Sequence, residues 1–250
     1  MKRFWTRAEA VADGERFAIA LDSRPVRTPR GNRLFAPTAA LGQAIAAEWQ
    51  AVEAEVRPHA MPLTGLANAA IDLIADDPPA FAATLSAYAR SDMLCYRAEH
   101  PQALVQRQAA QWDPILAWAE ARFDIVVKRT AGIAPIGQPP LTLERLDAAY
   151  AAQPPFRLAA LSPLVTLAGS AILPLALLEG RLDPDTAWAA AILDELWQAE
   201  QWGEDALATA SRADRRHQFN AACRFLSLLG GVTDLPPLAS EQPTRGGQTC

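Results

Sequence analysis

Leu193-Asp194-Glu195-Leu196-Trp197-Gln198-Ala199-Glu200-Gln201-Trp202-Gly203-Glu204-Asp205 concentrates acid, amide and indole groups at helical spacing. Asp194, Gln198 and Trp202 fall at i, i+4 and i+8, so a helix places them on one face, with Gln201 and Asp205 beside them. Trp188, Ile192, Glu195 and Ala199 form a neighbouring stripe. It seats the Glu195 carboxylate at the margin of an apolar surface, where a partly desolvated charge needs a partner. No basic residue stands within four positions of Glu195, so no salt bridge along the helix supplies one. Asp183-Pro184 reads as the cap and first turn of the helix that carries the whole stretch. An acidic run of this kind is more often a solvated helix face, and the rest of the chain has to decide between solvation and docking.

Immediately upstream, Leu158 to Leu178 contains no charged residue, a length at which a membrane span must be weighed. Pro163 and Pro174 interrupt it, Gly169-Ser170 and several alanines dilute it, and neither an aromatic belt nor a basic flank anchors it. It reads instead as a central helix buried on all sides in a bundle. Towards the other end, a helix through Phe219, Cys223 and Leu226 stops at Gly230-Gly231. Residues 232–250, rich in Pro, Gly, Thr and Gln without periodicity, read as a mobile tail.

The N-terminal part has a different grammar. Phe17-Ala18-Ile19-Ala20-Leu21 alternates at period two, Asp22-Ser23 punctuates, and Arg24-Pro25-Val26-Arg27-Thr28 follows as the second arm of a hairpin. Asp13-Gly14 and Gly31-Asn32 mark further turns, the latter leading to a short Leu34-Phe35 strand, with Phe4-Trp5 near the first strand and Pro25 at an edge. Thr38 caps a helix whose stripe is Leu41, Ile45, Trp49 and Val52. A second helix after Thr64 turns Leu66, Ala70, Leu73 and Ile74 inward and pairs Asn68 with Asp72. Asp76-Asp77-Pro78-Pro79 then breaks the chain and sets a domain boundary. Beyond it, Phe81, Leu85 and Tyr88 share a face, and Leu104, Gln108 and Trp112 follow. Asp113-Pro114 restarts a helix, Ile125-Val126-Val127 forms a short strand, and Thr142 caps another helix. The expected fold is α+β: residues 1–77 form a small antiparallel sheet with helices, residues 78–231 a mainly helical bundle, and residues 232–250 the tail.

In 250 residues with 50% hydrophobic content, a net charge of -5 argues against general nucleic-acid binding, which needs clustered surplus cations. Charge is uneven, though. Residues 1–35 hold eight basic groups (Lys2, Arg3, Arg7, Arg16, Arg24, Arg27, Arg30, Arg33) against four acids, whereas Glu179 to Asp205 holds eight acids against Arg181 alone. Such asymmetry suits docking to a polar protein partner. Lys2 and Lys128 are the only lysines, a bias that fits a GC-rich bacterial coding sequence. Cys95, Cys223 and Cys250 form no C-x-x-C pair, which fits a reducing compartment, and the N-terminus lacks an apolar signal core. A cytoplasmic protein is expected.

Catalytic signatures are missing. His59, His100 and His217 lie far apart, outside any metal-ligand spacing, so no metal is expected; no phosphate loop exists, so no nucleotide or other cofactor is expected. There is no nucleophile elbow, and Cys95 reads better as core than as a nucleophile. Asp194-Glu195 and Glu204-Asp205 are carboxylate pairs, and an enzyme using Asp194 and Glu195 is the competing reading. Neighbours on a helix diverge by about 100°, however, so neither pair clasps one bond.

Eight motifs in order then carry a resemblance. They are Leu21-Asp22-x-Arg24-Pro25 with Thr28-Pro29; Ile45-Ala46-x-Glu48-Trp49; Met61-Pro62-Leu63-Thr64-x-Leu66-Ala67-Asn68; Ile71-Asp72; Asp92-x-x-x-Tyr96-Arg97-Ala98; Gln108-x-x-x-Trp112-Asp113-Pro114; Gly169-Ser170; and Asp194-Glu195-x-x-Gln198-x-x-x-Trp202-Gly203-x-Asp205. The chain resembles the ATP-twelve type assembly chaperones from Phe4 to about Asp205. Ser23 departs from the pattern, since the family usually has glycine there. The resemblance implies a non-enzymatic chaperone that binds the unassembled alpha subunit of the ATP synthase catalytic head and prevents its aggregation until it joins beta; a monomer is expected. Asp194, Glu195, Gln198, Trp202 and Asp205 are the expected partner-binding residues.

Overall fold

A computed structural model describes residues 1–230; the tail expected at 232–250 lies outside the described residues. Four strands open the chain: β1 (Ala8–Asp13), β2 (Arg16–Leu21), β3 (Arg24–Pro25) and β4 (Phe35–Ala36). All pairings are antiparallel; β2 is central, with β1 along one edge and β3 and β4 along the other. Pro25 therefore needs no N–H for a further partner. Leu21 pairs with Arg24, so Asp22-Ser23 is a two-residue loop, and both residues have positive φ, 47° and 68°. That is the backbone of a type I′ hairpin, reached here without glycine. The Asp22 carboxylate compensates by accepting from the N–H groups of Arg7 and Thr6 and from the Thr6 hydroxyl. The Arg7 N–H leads the causes that hold its carboxyl below the usual range.

Helix α1 (Ala39–Gln50) covers the sheet, with Thr38 as its cap and Leu41, Ile45 and Trp49 buried. Gly42 marks the closest approach: a Cβ there would stand 3.0 Å from the Phe17 Cβ and 3.1 Å from the Ala10 Cβ. Neither neighbour is a flexible chain end, so Gly42→Ala is expected to destabilise the fold by roughly 1–2 kcal/mol despite alanine's better helix propensity. Chemical denaturation checks this, and an unchanged midpoint would show that helix and sheet can part.

Helix α2 (Pro62–Ala69) starts on the Glu48 carboxylate, which accepts from the N–H groups of Leu63 and Thr64 and from the Thr64 hydroxyl. It continues as one wide π turn, Ala70–Ile74. The extra residue in that turn shifts the phase of the stripe. Leu73 is exposed, not inward as expected, and Asp72 is buried. Asp72 also does not pair with Asn68; it accepts from the Thr28 hydroxyl, the Arg30 N–H and the Asn32 amide, bracing the loop between β3 and β4.

The remaining elements are α3 (Pro78–Ser86), β5 (Tyr96–Arg97), α4 (Gln102–Phe123), β6 (Thr130–Ala131), α5 (Pro140–Ala151), α6 (Pro155–Ala168), α7 (Ile172–Leu178), α8 (Pro184–Ala191), α9 (Leu193–Trp202) and α10 (Ala206–Leu228). Asp77 caps α3, and apolar side chains from both sides of the Asp76-Asp77-Pro78-Pro79 break join one core. Helix α6 is its hub, touching α2, α3, α7, α8 and α10.

Four local readings are corrected. Helix α4 runs straight through Pro114, and Asp113 is no cap but a partner of Arg97 at 2.8 Å; burial of Trp112, Ile115 and Leu116 outweighs the lost backbone bond. Ile125–Val127 is not a strand: Ile125 and Val127 are buried pegs, and the extended pairing falls at β6, parallel to β5. Thr142 lies inside α5, donating its hydroxyl to the Val126 carbonyl, while Pro139 occupies the cap position. The uncharged run is two helices, because Gly169 at φ 62° terminates α6. Both helices are mostly buried, α7 along its whole length, and among the described residues no helix is long and apolar enough to cross a membrane.

Candidate docking surface

The helix that carries Asp194 to Trp202 does not begin at Asp183. Asp183 caps α8, the chain breaks at Ile192, and α9 starts afresh with Asp194 and Glu195 in its first turn, where carboxylates suit the positive end of the helix dipole. Gly203, at φ 92°, turns the chain, and Asp205 caps α10 by accepting from the Ala208 N–H at 2.8 Å. The two helices form a hairpin. Among the α9 residues only Leu193 is buried, and within α10 nothing before Phe219 is.

Arginines hold this hairpin together and to the body. Arg215 grips Glu195 with two bonds, 2.8 and 2.5 Å, and Arg212 reaches Glu204 at 3.3 Å. Arg107 of α4 meets Glu200 at 2.6 Å, and Arg216, lying over the Trp188 ring, pairs with Asp185. Glu195 thus has the partner its own helix could not supply. The Arg215 hydrogen bonds, working against partial desolvation, hold its carboxyl below the usual range. The signal for this was present: Arg212, Arg215 and Arg216 follow the Gly203 turn at helical spacing, opposite the acids of α9.

Asp194, Gln198 and Trp202 do share a face, and it borders a groove of about 450 Å³ with Trp197, Gln201, His100 and Pro101 just before α4, and Leu104 in its first turn. Trp202 is 79% exposed and Leu207, just past the turn, 82%. Asp194 accepts from the Gln108 amide at 2.8 Å, and Gln108 accepts in turn from the Ala98 N–H. Asp194 and Glu195 consequently face different partners. Sequence reasoning did not place His100, Leu104 or Arg107 at the site; their nearness depends on how α4 crosses α9.

Elsewhere the chemistry is structural. Asp92 is buried where α6 gives way to α7, accepting from the Ser170 hydroxyl and the N–H groups of Ala171, Ile172 and Leu94. Burial pushes its carboxyl up to about 6. Cys95 is buried as well, and its thiol is pushed up to about 12, chiefly by burial, which removes it as a nucleophile at neutral pH. Among the described residues no group of three or more His, Cys, Asp or Glu could hold a metal ion.

The described residues thus present a braced fold whose exposed tryptophan edges an open groove, a surface suited to binding. The family model of the ATP12 chaperone protein matches residues 2–120. The structure of Atp12 from Paracoccus denitrificans is 44% identical, superposing over 91% of this chain and 98% of that one with a TM-score of 0.87. A structure of an aspartate-to-lysine mutant of the same protein agrees equally, and a protein of Agrobacterium tumefaciens is 41% identical, over 91% of this chain and 86% of that one, with TM-score 0.87. The mitochondrial atp12 protein of Schizosaccharomyces pombe is 27% identical over 219 residues, 82% of this chain and 75% of its own. The chain belongs to the ATP12 chaperone family; it is a chaperone of ATP synthase assembly and not an enzyme.

Proposed function

We propose that this chaperone captures the unassembled alpha subunit of the ATP synthase catalytic head and covers its exposed assembly surface until beta takes its place. The observation that carries the reading is Trp202, a large apolar ring left 79% exposed beside a groove that already contains Trp197. Tryptophan in that setting supplies contact area at low entropy cost. Gln198 and Asp194 add polar bonds that orient the subunit, while Glu195 and Asp205 hold the α9 and α10 hairpin in the shape the subunit meets. A subunit awaiting its neighbour exposes interface-grade apolar surface, and a mixed aromatic and acidic face covers it reversibly where a purely apolar one would not let go.

The test is Trp202→Ala. Because the ring is exposed, stability is expected to change by no more than about 0.5 kcal/mol. Capture of the purified alpha subunit, followed by its aggregation in dilute solution, is expected to weaken about ten-fold. Normal protection of the subunit by this variant would remove the groove from the interface.

A further inference from the structure

Charge on α9 is almost fully accounted for within the chain. Glu195 is neutralised by Arg215, Glu200 by Arg107, and Glu204, just beyond the helix, by Arg212. Asp194 is the exception: among the described residues no Arg or Lys pairs with it, and its one hydrogen bond comes from the neutral amide of Gln108, through Oδ1. It lines the groove whose apolar walls include Leu104, Trp197 and Trp202. His100 lines the same groove, and among the described residues no hydrogen bond or ion pair joins it to Asp194. A half-buried carboxylate with an uncompensated charge, in a groove also lined by two indoles, is an arrangement that accepts a cation: the carboxylate supplies the charge and an indole within reach a second attraction. Arginine suits it better than lysine, since its plane can lie on an indole while its N–H groups reach a carboxylate.

We infer that the groove between α9 and the start of α4 receives an arginine side chain of the alpha subunit, with Asp194 as its counter-ion and the indoles of Trp197 and Trp202 as walls along which the arginine and its neighbours lie. This rests on the docking reading above and names the chemistry of the group docked. Gln108 holds the Asp194 carboxylate from behind, so the acid is positioned before the subunit arrives.

The experiment is competition for capture. The full chain and the purified alpha subunit are mixed with increasing N-acetyl-arginine methylamide, or with the citrulline analogue, which keeps the shape and loses the charge, at matched ionic strength. The arginine compound is expected to release the subunit at concentrations where the citrulline compound does not. Asp194→Asn, which can still accept from Gln108, is expected to weaken capture about ten-fold and to lose the difference between the two competitors. Equal competition by both compounds, or no competition while Trp202→Ala abolishes capture, overturns the arginine inference and leaves the docking surface standing. Normal capture by both Asp194→Asn and Trp202→Ala overturns the docking reading itself.

Discussion

Asp92→Ala is expected to cost roughly 3–5 kcal/mol, the largest single effect on stability in this fold, because it leaves buried hydrogen-bond donors without an acceptor. The donors are the Ser170 hydroxyl and the N–H groups of Ala171, Ile172 and Leu94. They sit where α6 ends and α7 begins, beside Tyr150, whose buried hydroxyl donates to the Ala171 carbonyl at 2.7 Å. At a site that is 1% exposed the donors cannot turn to bulk solvent instead. The carboxyl also has a pH signature. Burial raises it to about 6 from an ordinary value near 4, so between those values the folded chain binds more protons than the unfolded one. Its contribution is therefore complete below about pH 4 and is lost as pH rises towards about 6, by a few kcal/mol at most. Other carboxyls, such as Glu195, run the opposite way. The measurement is consequently a difference: denaturant melts of wild type and Asp92→Asn at pH 4 to 7, in which the gap between them should shrink as pH rises. A constant gap would show that the carboxyl titrates normally, and a mild Asp92→Ala would mean that the helix junction rearranges.

Legibility followed sequence distance. The β hairpins, the Thr38 cap and the Leu41, Ile45 and Trp49 stripe are local patterns, and each was readable because the residues that decide them lie within a few positions. Pro114 was misread for a related reason: local chemistry favours a helix start at Asp113-Pro114, and only the burial of Trp112 and Leu116 against distant helices keeps α4 continuous. The Gly169 break in the apolar run is clear in retrospect from its positive φ, but an isolated glycine in such a run could equally have been a packing contact. The bond between Asp92 and Ser170 spans 78 residues and had no trace beyond both being part of the resemblance motifs. The same holds for Glu48 with Thr64, Asp72 with Thr28 and Gln108 with Asp194. Much of the polar content of those motifs braces the fold. The proposed docking surface is left to a few exposed side chains of α9, which is why a family pattern identifies the family more readily than it locates a site.

Glu195→Lys is expected to cause the largest loss of function, about a hundred-fold in capture of the alpha subunit, with a stability cost of only roughly 1 kcal/mol. The carboxylate is 43% exposed on its side chain, so the lost ion pair is worth little to the fold as a whole. Its replacement, however, sets a third cation against Arg215 and Arg212, at the middle of a hairpin whose α9 buries only Leu193. Repulsion there should splay α9 from α10 and carry Trp202 and Gln198 away from the groove. The alternative is that the subunit itself reads the negative charge at this position. Reversing the pair separates the two: Glu195→Arg with Arg215→Glu restores the attraction between the helices while leaving a cation at 195. Because Arg215 already neutralises Glu195, the double variant is expected to regain most of the capture that either single change loses. Thermal melting and capture are measured on the same samples. Regained stability without regained capture would make Glu195 a direct contact of the subunit, whereas recovery of both would make it the residue that positions the tryptophan groove.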